Sequence, residues 1–571
     1  MTKTMTKILA IAAMISAAAT NSSAQNQNNL GADCGCPPVN TRPLVDLSTL
    51  ATGGVLNATN TVLTCNNNYL IKEKIYVPDG KSITINPGTV ILGRDLNAPG
   101  AGVASALVIE RGGQIIAAGT PTCQIVFTAA ADILTAAPDN GADNILGNYQ
   151  TASGAPNGGK WGGVVICGKA TNNYKNAADA TTLGLPANND SGLQIAGQVS
   201  GTAAVEGISN AEADIRTWFG GTDDNDNSGI MRYCSIRHAG DIIVAGNELN
   251  SLTLASVGRG TTIDHIEVVC GADDAIEVFG GTVNLKYCSF LFGDDDGLDY
   301  DVNWRGSAQF IFSLTRQGTG ETITDHGIEA DGDDGSTNVL QRSHPKIYNA
   351  TFIGSNQSIL TTDNTGDAGA MFKERSEGEL YNCIFANYNR GIIIEKVKTS
   401  RAGGPNNEAY HNWQTGFSTS GTLLIGCNTF VNCANPLVIE DNAAYSASLA
   451  TAGDLAKFAA DGNVSVSSLT GFDYAYTMNY TTNVVTDKFD AVPEPLIAST
   501  CATPVDGFFT SAAYRGAFEA GKKSWLSEWA ILNVLAATTG IVNCPTDVNG
   551  DGTTNNADFL QLLGQFNQSC N

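Results

Sequence analysis

Ile263-Asp264-His265-Ile266-Glu267-Val268-Val269-Cys270-Gly271-Ala272-Asp273-Asp274-Ala275-Ile276-Glu277-Val278 is followed, 22 residues further on, by Leu285-Lys286-Tyr287-Cys288-Ser289-Phe290-Leu291-Phe292-Gly293-Asp294-Asp295-Asp296-Gly297-Leu298-Asp299-Tyr300. The second segment restates the first. Apolar residues fall on apolar ones (Ile266 on Cys288, Val268 on Phe290, Ile276 on Leu298), Gly271 falls on Gly293, and acids fall on acids (Asp273 on Asp295, Asp274 on Asp296, Glu277 on Asp299). Short alternating strands joined by acidic and glycine turns, repeated at this length, are the sequence form of one coil of a parallel β-helix. Stacked coils place aligned residues about 4.8 Å apart, the spacing between neighbouring strands. Each of those acids then lies beside another acid.

Two unit charges at about 4.8 Å repel by roughly 1 kcal/mol in bulk water and by about 3.5 kcal/mol at an effective dielectric near 20. Three stacked pairs therefore cost little on an open loop and much more in a recess. Three readings stay open: a solvated acidic turn, a Ca²⁺ site built of hard oxygen ligands, or a catalytic carboxylate group. Asp273, Asp274, Glu277, Asp295, Asp296 and Asp299 form this second candidate acidic or metal site.

Working outward, short strands of the same kind recur. Ile75-Tyr76-Val77, Ser82-Ile83-Thr84-Ile85 and Thr89-Val90-Ile91-Leu92 are separated by Pro78-Asp79-Gly80 and Asn86-Pro87-Gly88, both turn chemistries. Related phrases return at Tyr233-Cys234-Ser235-Ile236, Ile347-Tyr348-Asn349-Ala350-Thr351-Phe352, Leu380-Tyr381-Asn382-Cys383-Ile384-Phe385 and Ile425-Gly426-Cys427-Asn428-Thr429-Phe430. Their spacing varies because loops grow at the corners of a solenoid, where they make its binding surface. The expectation is an all-β chain: a right-handed parallel β-helix over 71–500, after a leader and N-terminal cap over 25–70 and before a C-terminal cap over 501–540.

The totals agree with that class. The 571 residues include 63 glycines, and 31 Lys and Arg stand against 56 Asp and Glu, a net charge of −25. A chain so acidic lacks the basic footprint that nucleic acid or an anionic membrane needs. At the start, Lys3 and Lys7 precede an apolar run over 8–19, and Ser22-Ser23-Ala24 supplies small residues, the pattern of a signal peptide over 1–24. Nothing later approaches the roughly 20 apolar residues of a membrane span. The chain is expected to be secreted or held at the outer cell surface, with a surface or matrix protein or a glycan as partner. Of the 14 cysteines, Cys234, Cys288, Cys383 and Cys427 read as inward ladder residues. Cys34, Cys36 and the pair Cys544 and Cys570 read as candidates for disulfides.

Lys160-Trp161-Gly162-Gly163, Asp274-Ala275-Ile276-Glu277-Val278-Phe279-Gly280-Gly281 with the following Gly293-Asp294-Asp295-Asp296, and the late Tyr514-Arg515-Gly516-Ala517-Phe518 together resemble a large family of uncharacterised secreted bacterial right-handed parallel β-helix proteins. The resemblance spans about 75–535. It implies the fold, and a late segment that closes the helix, without a shared activity.

The tail, 541–571, is a separate module. Asp547-Val548-Asn549-Gly550-Asp551-Gly552-Thr553-Thr554-Asn555-Asn556-Ala557-Asp558 carries oxygen side chains at positions 1, 3, 5, 9 and 12 and glycine at 6. That is the spacing of an EF-hand-type calcium loop, with Asp547, Asn549, Asp551, the Thr553 carbonyl, Asn555 and Asp558 as ligands. It resembles a dockerin repeat, of which a dockerin carries two and this chain one.

No zinc-protease, P-loop, c-type haem or nucleophile-elbow phrase occurs. Many β-helices cleave polysaccharides. Asp294-Asp295-Asp296 superficially resembles the paired acids of polygalacturonases and Asp325-His326-Gly327 partly echoes their histidine motif, while the other phrases of that family are absent. A lyase needs a base near bound Ca²⁺, for which Arg305 is the nearest candidate, and no residue is singled out as catalytic. The function expected is an exported Ca²⁺-binding β-helix scaffold with a binding or adhesion role; the alternative is a polysaccharide-binding or polysaccharide-cleaving protein.

Overall fold

The computed structural model describes residues 30–94, 104–130, 158–173, 203–205, 215–244, 247–315, 325–332, 342–355, 368–397, 409–415, 423–441, 450–475 and most of 477–531. The tail module, with its calcium loop and the Cys544 and Cys570 pair, lies outside them.

The chain winds as a parallel β-helix, with the right-handed crossover that parallel strands adopt. Among the described residues its coils build one sheet of 18 strands and one of 12. In the 12-stranded sheet Leu252–Val257, Ile276–Gly281, Leu298–Trp304, Ile328–Asp331, Ala368–Lys373, Arg390–Val397 and Asn435–Asp441 stack in that order, each parallel to the next. In the 18-stranded sheet Thr262–Val269 pairs with Asn284–Leu291 in the register read from sequence, Val268 opposite Phe290. Ile266, Val268, Ile276, Cys288, Phe290 and Leu298 all enter one buried core, as the alternation requires.

In seven successive coils of the longer sheet a left-handed residue stands part-way along the strand, or between its two halves. Tyr233, His265, Tyr287, Phe310, Asn349, Asn382 and Cys427 hold φ between 48° and 60°. Such a backbone costs a non-glycine residue about 1–2 kcal/mol. Asparagine tolerates it best; the aromatic corners gain from stacking. The rings of Tyr233, His265, Tyr287 and Phe310 follow one another at 4.2, 4.6 and 5.0 Å between centroids. Inside the helix, Phe352, Phe385 and Phe430 form a second stack at 5.1 and 5.4 Å. Phe385→Ala should leave a cavity between two rings and cost about 3–5 kcal/mol, which chemical denaturation would read as a lower midpoint at unchanged slope.

Four expectations need correction. First, the solenoid starts before residue 71: Leu44–Asp46 already pairs with Asn68–Ile71, so most of the expected N-terminal cap is coil. Second, it ends earlier than 500, because the last strand in the ladder is Val464–Val466. The end of the core there is covered by the helix Ala452–Ala460, begun by a capping box between Thr451 and Asp454, whose Phe458 packs 5.3 Å from Phe430. Third, the segment expected as a C-terminal cap runs back along the outside of the longer sheet. Asn382 donates to the Cys501 carbonyl, Asn349 to that of Tyr514, Gln309 to that of Thr510 and Gln124 to that of Trp529. It does so because that face is apolar: Val269, Leu291, Phe312, Leu314, Ile353 and Ile384 are buried beneath Phe518, Leu526 and Trp529. Fourth, Cys427 is a corner residue, disulfide-bonded to Cys501, where this strap begins. Cys34 and Cys36 are bridged to Cys123 and Cys65. No helix among the described residues is long and apolar enough to cross a membrane.

Candidate cation site

With one outer face under the strap, the acids gather on the other. Alternation along Ile276–Gly281 sends Ile276 and Val278 inward and Glu277 outward. Register repeats this: Glu277 stands beside Asp299, and Asp299 beside Glu329. Two residues along each strand, Phe279 stands beside Asp301 and Asp331 beside Lys373. The turns that enter these strands add Asp273, Asp274, Asp295, Asp296, Asp325 and His326.

Two of the turn acids splice coils together. Asp274 Oδ1 accepts from the Asp296 amide at 3.0 Å, and Asp296 Oδ1 accepts from the His326 amide at 2.6 Å while lying 3.0 Å from His326 Nδ1. The others face one another. Asp273, Asp274 and Asp295 bring ligand atoms within 4.8 Å of one another, as do Asp274, Glu277 and Asp299, and as do Asp296, His326 and Glu329. Asn250 donates its amide to Glu277 Oε2. Lys373 Nζ lies 2.8 Å from Glu329 Oε1 and 3.3 Å from Asp331 Oδ2. Asp299 Oδ1 and Asp331 Oδ1 are buried with no hydrogen-bond partner among the described residues.

Of the three readings open from sequence, a freely solvated turn accounts least well for Asp274, Glu277 and Asp296, which are buried, while Asp273, Asp295 and Asp299 are half-buried. Burial, reinforced by neighbouring carboxylates, holds Asp274, Asp296 and Asp299 well above the usual carboxylate range. The same causes push Asp295 to about 6 and, with Asp295 itself acting on it, Asp325 to about 7. Lys373 is raised well above the lysine range: Asp331, Glu329 and Asp299 outweigh the opposing effect of burial. Burial lowers His326. A set of carboxylate oxygens at this spacing, Asp299 Oδ1 without a hydrogen-bond partner among the described residues, fits a hard divalent cation such as Ca²⁺, which takes six to eight oxygens. Asp274, Glu277 and Asp299 are the residues to hold it.

The structure therefore brings together five of the six acids read from the repeat, Asp273, Asp274, Glu277, Asp295 and Asp299, and sets Asp296 with His326 and Glu329. His326, Glu329, Asp331 and Lys373 were not among the residues read as a site. A signal for three of them exists. Asp325-His326-Gly327-Ile328-Glu329-Ala330-Asp331 repeats Asp295-Asp296-Gly297-Leu298-Asp299-Tyr300-Asp301 at an offset of 30, lengthened from 22 by an insertion. Arg305, the nearest candidate base, is held elsewhere, by Asp224 at 2.9 Å and by Thr171.

The family model of the pectate-lyase-like β-helix domain matches residues 54–187 and 185–453, most of the solenoid. The chain belongs to this family. The matched span includes every residue of the acidic cluster described above. No curated protein matches the chain. Among solved structures, a PL6 alginate lyase in complex with a trisaccharide aligns over 78% of this chain and 91% of its own, at 10% identity and a TM-score of 0.29.

Proposed function

We propose that this pectate-lyase-like β-helix is an exported protein that binds acidic polysaccharide in the cleft over the 12-stranded sheet, with a divalent cation, Ca²⁺, as the link. The observation that carries the reading is the in-register rank Glu277, Asp299 and Glu329 on an outward face. Within it, Asp299 Oδ1 is buried without a hydrogen-bond partner among the described residues. Carboxylates stacked this way repel one another and gain from a cation. A cation held there presents its remaining coordination positions outward, to the carboxylate of a uronate chain. At a net charge of −25, direct attraction of an anionic glycan is not available, so binding should require the cation outright. Export is supported by the leader pattern and by three disulfides, which persist in oxidising compartments. The tail loop of Asp547, Asn549, Asp551, Thr553, Asn555 and Asp558 supplies a separate Ca²⁺ module for attachment to a surface or matrix partner, stapled by Cys544 and Cys570.

Cleavage of the bound chain is the second reading, favoured by Asp295 and Asp325, whose values of about 6 and about 7 suit proton transfer near neutrality. One screen addresses both. The purified chain is incubated with acidic polysaccharides, with and without chelator, and read for retention, for new reducing ends and for unsaturated products. Retention that chelator abolishes, and that falls at least tenfold in Asp299→Asn, is expected. Retention indifferent to chelator, or intact in Asp299→Asn, would refute the cleft as the binding site.

A further inference from the structure

Among the described residues, Leu44, Leu50, Val62, Leu424, Leu455, Val464 and Val505 are large apolar side chains left exposed. All but Val505 stand at the two ends of the solenoid, the first three where it starts and the next three where it finishes. The ends of a repeat protein need a polar outer surface to stay apart, and open sheet edges are ordinarily blunted with charge. These ends are poor in both. At the finish, the covering helix Ala452–Ala460 buries Asp454 and Phe458 and leaves Ala452, Leu455, Ala456 and Ala459 exposed, one apolar face at helical spacing. Its Lys457 is paired with Asp461 at 2.7 Å. At the start, residues 43–63 contain one charged side chain, Asp46, which is paired with Lys72 at 2.8 Å.

The two ends also match each other. Parallel pairing runs unbroken along one arm of the 18-stranded sheet from Leu44–Asp46 to Val464–Val466. Along the other arm it runs from Asn60–Leu63 to Leu423–Gly426. Each of these four end strands pairs with a strand on one side only among the described residues. A second copy stacked head to tail sets Val464–Val466 over Leu44–Asp46, three residues over three, and Leu423–Gly426 over Asn60–Leu63, four over four, with strand direction kept. The net charge of −25 opposes contact side by side, which leaves the charge-poor ends as the route of association. We infer that the chain binds a second copy of itself head to tail, the helix-covered end of one seated on the first coil of the next. Such a contact does not close on itself and builds a filament. It uses none of the acidic cluster and does not depend on a saccharide binding there.

The experiment follows the mass of the full chain against concentration by analytical ultracentrifugation. Growth past the dimer as concentration rises is expected. Leu455→Glu spoils one end and Val62→Glu the other, both at exposed positions, so each variant should keep the circular dichroism spectrum of the wild type. Each alone should stay monomeric at about ten times the concentration at which the wild type assembles, because an unpaired charge buried in a contact costs more than a tenfold factor in affinity. Mixed, the two should form a heterodimer and nothing larger, through the intact helix-covered end of Val62→Glu and the intact first coil of Leu455→Glu. The altered ends carry the same charge and cannot pair with each other. A wild-type chain that is monomeric at every concentration, or a mixture no heavier than its parts, overturns the inference. Dimers formed by either variant alone overturn it as well, since they mark a contact between like ends or one made elsewhere.

Discussion

Lys373→Met should destabilise the chain by about 3 kcal/mol or more in the absence of divalent cations, the usual result of removing one partner from a buried ion pair. The lysine side chain is 23% exposed and stands 2.8 Å from Glu329 and 3.3 Å from Asp331. Asp299 contributes to raising it. Methionine keeps the length of the side chain and removes only the cation. The carboxylates left behind then repel across about one strand spacing in a recess. Denaturant unfolding in chelator gives the size of the loss. A divalent cation should restore part of it, because the ion supplies the missing positive charge. If Lys373→Met unfolds at the wild-type midpoint, the ammonium is not what holds this row together.

In chelator, the wild-type chain should become less stable as pH rises from 5 to 8, the reverse of the behaviour of a protein whose carboxylates are salt-bridged. Asp274, Asp296, Asp299 and Asp331 are held well above the usual range, first by burial, and Asp295 and Asp325 sit at about 6 and about 7. The unfolded chain gives up these protons near pH 4. Above that the native state holds more protons than the unfolded state, so the free energy of unfolding falls with pH. The loss is complete once pH has passed the folded values. Each pH unit of displacement is worth about 1.4 kcal/mol. Asp295 and Asp325 alone make the difference about 3 kcal/mol or more, a fall in Tm of roughly 3 °C for a chain of this length. Saturating Ca²⁺ should flatten the dependence, since it stabilises the ionised acids. Scanning calorimetry at three pH values, with and without Ca²⁺, checks both signs.

The coil was legible because its signal is repetition. Val268 and Phe290 fall opposite each other at the 22-residue offset, and a period of two then sends each apolar side chain inward. Legibility failed where one residue of register matters. Cys427 reads from sequence as an inward residue, as Cys383 does; in the structure Leu380 pairs with Ile425 and Tyr381 with Gly426. Cys427 therefore stands at the corner with Asn382, and a slip of one residue exchanges inside for outside. The left-handed corners show the same limit. Tyr233, Tyr287, Asn349 and Asn382 each precede a small inward residue, yet no residue type marks them in common, because ring stacking satisfies some and asparagine chemistry others. The strap was recognised as a closing segment by resemblance, but its course depends on outward apolar residues such as Leu291 and Ile384 from coils far apart in sequence.

In the cleft, the acids of one turn were legible as stacked pairs, while the charges that complete the site were not. Lys373 reaches Asp331 only in the folded register, 42 residues along the chain, and no repeat unit has that length. His326 occupies the place of Asp296 in the next coil, where a histidine among aspartates breaks the pattern that would have drawn attention to it.

On the proposed function, the acidic face of the 12-stranded sheet takes a cation and, through it, an acidic glycan. A crystal structure of the full chain grown with Ca²⁺ and an oligouronate tests it most directly. The expected result is Ca²⁺ bonded to Asp274, Glu277 and Asp299, with the saccharide lying along the outward face of Leu298–Trp304 and its neighbours. Saccharide bound elsewhere, with those carboxylates ligating nothing, would contradict it.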